Sequence, residues 1–240
     1  SRASGSNKWE ISELDISDYL PDTMTVSIEV PQGSEVTLNG NVLDTSCIVS
    51  TAIPDVLADS VDYIDNPPMY DTYKLSGLLS DPDISVKDQS GNSLKVTKTD
   101  SAFIAGLVMD QDYLDTIEDR VYEALYNYAT YFIHMSSSLY NYIVYGTEIY
   151  SYIFGSDTMD PIDTNLYNWE YIDHYDFAKE SVDNIIFYTE DCFTADIEYA
   201  LDMYFTDPTF EDNNQNMKAT WVFAIEPLDG SWCISAITSR

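Results

Sequence analysis

The chain has 240 residues, of which 45% are hydrophobic and 20 are tyrosine, so it has the material for a substantial core. It carries 42 acidic residues against 10 basic ones, a net charge of −32. That balance repels phosphate backbones and anionic headgroups, which excludes nucleic-acid binding and docking to a membrane through a basic surface.

Residues 1–17 read as a polar tether. The opening Ser-Arg-Ala-Ser-Gly-Ser has linker composition, and a membrane anchor upstream of it is an expectation. A first strand is predicted over Met24–Val30, with Met24, Val26, Ile28 and Val30 on one face. Glu35–Leu38, the Asn39-Gly40 turn and Asn41–Leu43 form a hairpin. Further strands are predicted over Tyr70–Leu75, Asp83–Asp88 and Ser93–Thr97, the last two joined at Ser90-Gly91. Short strands separated by turn residues give a small all-β sandwich over residues 18–100. Thr97–Ala105 is the expected junction.

Beyond it the apolar period lengthens. Leu114, Ile117, Val121, Leu125, Tyr128 and Phe132 recur at helical spacing behind an Asp112 cap. From Asp100 to Ala178 the sole basic residue is Arg120. Ser136–Ser138 interrupts the helix. Leu139, Tyr142, Ile143, Gly146, Ile149, Tyr150 and Ile153 make a second helical face, with Gly155 as its C-cap. A third, short helix is predicted over Leu166–Ile172. Tyrosines along the helices exceed what one face buries. They read as an aromatic core with wet edges or as a platform for a protein or glycan partner.

Strands close the chain. Ser181–Tyr188 is followed by Phe193–Phe205, whose strict alternation predicts one buried and one solvated face. A polar loop, Asp207–Gln215, leads to Met217–Glu226, the Asp229-Gly230 turn and Ser231–Thr238. The cysteines, Cys47, Cys192 and Cys233, are expected to be unpaired. Cys192 and Cys233 fall on strands separated by a third, roughly 9.6 Å apart and beyond disulfide reach. No apolar run is long enough to cross a membrane as a helix, and no signal peptide is read.

Two resemblances follow from these segments. Val30–Gly40, Tyr73–Leu78 and Ile84–Gly91 resemble β-sandwich modules of bacterial surface proteins. Helices first and a curled antiparallel sheet last, with Thr194–Tyr199, Trp221–Ile225 and Asp229–Ile234, resembles the nuclear transport factor 2-like superfamily over residues 101–240. The fold class is therefore α+β: an all-β module followed by a cone of helices packed in a curved antiparallel sheet. In that superfamily the cone holds a pocket. Some members are isomerases, cyclases or dehydratases, and others are non-catalytic binding or spacing domains of envelope proteins.

The resemblance implies candidate ligand contacts at His134, Tyr142, His174, Trp221 and Trp232. No catalytic set and no cofactor is assigned. Asp173 and His174 are adjacent in sequence, which does not by itself place their side chains in contact. Asp196, Glu198 and Asp202 share a strand face but span about 20 Å, too far for one ion, and read as solvated. The candidate cation ligands are Asp207, Glu211 and Asp212. The expected function is a non-enzymatic extracellular binding or spacer module of a bacterial cell-envelope protein, with a protein or glycan partner. The alternatives are a small-molecule isomerase, cyclase or carrier using the cone, and a sensor ectodomain.

Overall fold

A computed structural model describes residues 23–134, 137–162, 171–207, 209 and 213–240. The N-terminal part contains strands β1 (Met24–Pro31), β2 (Glu35–Leu38), β3 (Asn41–Val42), β4 (Ile48–Ala52), β5 (Tyr70–Leu78), β6 (Ile84–Lys87), β7 (Ser93–Lys98) and β8 (Phe103–Gly106). They are hydrogen-bonded in the order β3-β2-β6-β7-β8-β1-β5-β4. β7 serves both halves: Ser93 and Leu94 pair with β6, and Lys95–Lys98 pair with β8. The sheet folds over about this strand, so Val36 and Val86 pack with Ile28, Val30, Tyr73 and Ala105 in one core. The Asn39-Gly40 turn is as expected, with both residues at positive φ (49° and 81°), the geometry of a tight hairpin. Met24, read as part of the buried face, is exposed at the strand's start.

The expected junction instead holds β8, which pairs antiparallel with β7 and parallel with β1. Strand β4 and the 3-10 helix Asp55–Tyr63 are further elements that the pattern did not mark. Leu57 and Ser60 are buried on that helix, and Ile64 is buried just after it.

The C-terminal part begins with helix α1 (Gln111–His134). Its cap is Asp110 rather than Asp112: Tyr113 N–H donates to Asp110 Oδ1 at 2.9 Å. The second helical face is split into a 3-10 turn, Ser137–Tyr142, and helix α2 (Glu148–Phe154). Gly146 at φ 84° breaks the run, and Thr147 restarts it by accepting from Tyr150 N–H. Gly155, at φ 84°, ends α2 as expected. Most of the third predicted helix, Leu166–Ile172, lies outside the described residues. Ile172 instead opens a long strand.

Four antiparallel strands follow: β9 (Ile172–Thr189), β10 (Cys192–Phe205), β11 (Asn213–Ile225) and β12 (Trp232–Ser239), in the order β12-β11-β10-β9. The sheet curls around α1 as a half-barrel cone, so the α+β class and the curved sheet are as expected. The Asp229-Gly230 turn is fixed by Ser231 donating to Asp229 Oδ1 and by Gly230 at φ 74°. Cys192 and Cys233 both neighbour Ala224 from opposite sides, and all three cysteines are free. Among the described residues, no helix is long and apolar enough to cross a membrane.

The outer face of this sheet departs from the expected solvated surface. Near its Cys192 end, β10 is buried on both faces, because the N-terminal part packs there. Ile186, Tyr188, Cys192, Val222 and Ala236 meet Leu57, Ile64, Tyr70, Ala102 and Ile104 in one apolar cluster. Leu107 N–H donates to Phe187 O at 2.8 Å, and Ser60 and Ser235 share a buried hydrogen bond of 2.8 Å.

Candidate functional site

The interior of the cone is the place where the superfamily resemblance puts a pocket. Here it is filled. Helix α1 sends in Ile117, Val121, Leu125 and Tyr128, which are buried. The sheet answers with Phe187, Phe193, Ile197, Tyr199, Leu201, Trp221 and Phe223. Phe193 stacks on Phe223 at 4.7 Å, and Trp221 meets Tyr128 edge-on at 5.2 Å. The Trp221 indole N–H has no hydrogen-bond partner among the described residues, and the ring fills volume there. The buried carboxylates among the described residues, Asp71 and Asp196, are not part of this apolar cluster.

The expected ligand set is scattered. Trp221 is wholly buried. Tyr142 and Trp232 do come together, through Arg120: the guanidinium lies 4.1 Å from the Tyr142 ring centroid and donates from Nε to Trp232 O at 3.0 Å. A second guanidinium nitrogen donates to Asn141 O at 2.7 Å. The lone base of this region thus staples α1 to β12 and to the turn before α2. The Trp232 ring packs on Phe193 at 4.8 Å, and its N–H donates to Tyr113 OH. These are structural contacts.

His174 stands apart on β9. It stacks on Tyr204 at 4.4 Å, and its Nδ1 lies 2.9 Å from Asp173 Oδ2, so the adjacent pair is in contact after all. Both side chains are more than half exposed. His134 is the last residue of α1, and its side chain lies outside the described residues. Asp207 accepts from the N–H and hydroxyl of Thr209, which close a tight turn and hold its carboxyl below the usual range. Glu211 and Asp212 lie outside the described residues. No group of three metal-ligating side chains exists among the described residues.

The acidic strand face is not one surface. Asp196 is buried and accepts from Asn184 at 2.8 Å and Thr220 at 2.7 Å, and it pairs with Arg240 at 2.9 Å. Arg240 also pairs with Asp100, so this cluster clamps the two parts of the chain together. Asn184 reaches Asp196 because it occupies a bulge in β9, at φ 49°. Glu198 pairs with Lys179, and Asp202 accepts from Asn214.

One opening among the described residues is a cleft of about 370 Å³ beside the cone. One wall is α2, with Glu148, Ile149 and Tyr152; Met159 lies beyond it, and Tyr128 of α1 also lines the cleft. The other is Ser235, Ala236 and Ile237 of β12. Asp59 closes it from the N-terminal part. A size of several hundred Å³ with mixed apolar and polar walls is typical of a binding site. Sequence reasoning passed over it because its parts are distant in the chain. The available signal was β12 itself, the last strand of an open meander and uncharged from Trp232 to Ser239.

No protein-family model and no curated protein matches the chain. Among solved structures it is similar to an Ntf2 like protein involved in plasmid conjugation, with 14% identity and a TM-score of 0.36. That likeness covers 75% of this chain and 64% of the other, so this chain spans less than two thirds of that protein's length.

Proposed function

We propose that this chain is a non-catalytic binding module, engaging a protein partner through the cleft between α2, β12 and the 3-10 helix Asp55–Tyr63. The observation that carries this reading is the filled cone. Among the described residues, Trp221, Phe193, Phe223 and Tyr128 occupy the interior where a small substrate would sit. The cleft offers tyrosine and methionine contact area together with two carboxylates, a mixture suited to recognition. Placement outside a bacterial cell envelope is part of the same proposal. It draws on the pairing of an all-β module with a cone, on the net charge of −32 and on the polar N-terminal segment.

The close packing of the two parts bears on the spacer alternative. A spacer needs only rigidity, which the apolar cluster and the Asp100–Arg240–Asp196 clamp supply. It does not need a cleft. A peptide and glycan array probed with the whole chain tests the proposal. Selective capture that is lost on substituting Tyr152 and Met159 supports it. Turnover of a small substrate, or binding indifferent to the cleft, contradicts it.

A further inference from the structure

The open sheet has two edges, and they are guarded differently. β9 carries Asp173, Asp176, Lys179, Glu180 and Asp183 along its length. Charges on an edge strand discourage another chain from pairing with it. β12 has neither a charge nor a proline. Its first residues are covered, since Val144 N–H donates to Ile234 O. From Ser235 to Ser239 its outward backbone has no partner among the described residues. Five residues of unpaired edge extend for about 17 Å, of which Ser235 and Ala236 are buried, Ile237 is partly buried and Thr238 and Ser239 are open.

The cleft lies along this free edge. Its wall includes three consecutive residues, Ser235, Ala236 and Ile237. Neighbours on a strand point to opposite faces, so a cavity that touches all three runs beside the backbone. Asp59 and Glu148 stand on the facing side, exposed and without an ion-pair partner among the described residues. From these observations we infer that β12 accepts an extended, basic peptide as a fifth strand, its main chain on the Ser235–Ser239 edge and its alternate side chains toward Asp59 and Glu148. In such strand addition the backbone bonds supply affinity and the side-chain contacts supply selectivity.

Charge decides between this occupant and a second copy of the chain. Another copy brings a further −32 to the same edge, whereas a basic peptide is drawn in by the field. The inference rests on the reading of the chain as a binding module and sharpens it to a partner chemistry.

The test uses the whole chain and two labelled peptides that alternate lysine with valine. One has ordinary amides. The other is N-methylated throughout, which keeps the charge but removes every main-chain donor. The ordinary peptide is expected to bind at least tenfold more tightly by fluorescence anisotropy, and to slow amide exchange at residues 235–239. The double variant Asp59→Asn, Glu148→Gln is expected to weaken that binding and to flatten its salt dependence, with its melting temperature recorded as a check on folding. Equal binding of both peptides overturns strand addition while leaving the binding-module reading intact. No binding of the ordinary peptide overturns the inference, as does concentration-dependent self-association that itself protects residues 235–239. Failure of the broader reading has a separate signature, turnover of a small molecule within the cone.

Discussion

The two faces of the C-terminal sheet are both buried near Cys192, but by different means. The inner face is closed mainly by aromatic and aliphatic side chains, drawn from α1 and from alternate positions of β10 and β11. The outer face is closed by a separate part of the chain, and there apolar contacts are mixed with polar ones: the Ser60–Ser235 bond, the Leu107–Phe187 bond and the Asp196–Arg240–Asp100 clamp. The first arrangement leaves no room for a ligand. The second fixes the N-terminal part against the sheet and, at the margin of the contact, leaves the cleft beside β12. Stability is concentrated on one face, and the proposed recognition lies at the border of the other.

Truncation inside the cone gives the largest expected effect. Trp221→Ala removes a fully buried ring and should cost roughly 3–5 kcal/mol in urea unfolding. Trp221→Phe should cost much less, below about 1.5 kcal/mol, because the indole N–H has no partner to lose. Equal losses from the two variants would mean that the N–H matters and that the interior is not purely apolar.

The outer contact should be nearly as sensitive at one point. A Cβ on Gly106 would lie 2.7 Å from Phe187 O and 2.9 Å from Ile186 Cγ2. The backbone oxygen cannot swing aside, and it already accepts from Leu107 N–H. Gly106→Ala is expected to cost about 1–3 kcal/mol, as overpacking does. An unchanged stability would show that the two parts are loosely docked.

A smaller effect distinguishes the faces by pH. Burial, with Asp55 nearby, raises the Glu29 carboxyl above its ordinary value of 4.5. The folded state therefore binds its proton more tightly than the unfolded state. The associated stability is complete below about pH 4.5 and is lost as pH rises through the raised folded value. Glu29→Gln should raise the melting temperature at neutral pH and flatten its pH dependence above that point. An unchanged slope would place Glu29 in water. Thiol reactivity supplies the mildest probe. Burial pushes the Cys192 thiol up to about 12 and raises Cys233 as well. With an aromatic disulfide reagent near pH 8, Cys192 and Cys233 should react only on unfolding. Rapid labelling of Cys192 in the native protein would mean that the outer face is open.

The inner face was readable because its pattern is local. Phe193 to Met203 alternates without a break, Leu114 to Tyr128 keeps helical spacing, and Asp229-Gly230 marks the last turn. The outer face was not, since its burial depends on which distant segment arrives. Asp196 looks solvated until Asn184, Thr220 and Arg240 are brought to it. The same limit hid the cleft, whose walls come from residues 59, 148–152, 159 and 235–237. Of the expected ligand residues, Tyr142, Trp221 and Trp232 are held in packing contacts.

The claim that the cone is a core rather than a pocket is tested most directly by its own reporter. The Trp221 Nε1–H is buried without a partner and should give a distinct, slowly exchanging resonance in nitrogen-correlated NMR. Titration of the native protein with benzene or indole should leave that resonance unmoved, while Trp221→Leu or Trp221→Ala, with a cavity in its place, should bind the same ligands. A saturable shift of the Trp221 resonance in the unaltered protein would contradict the account and return the cone to the list of ligand-binding chambers.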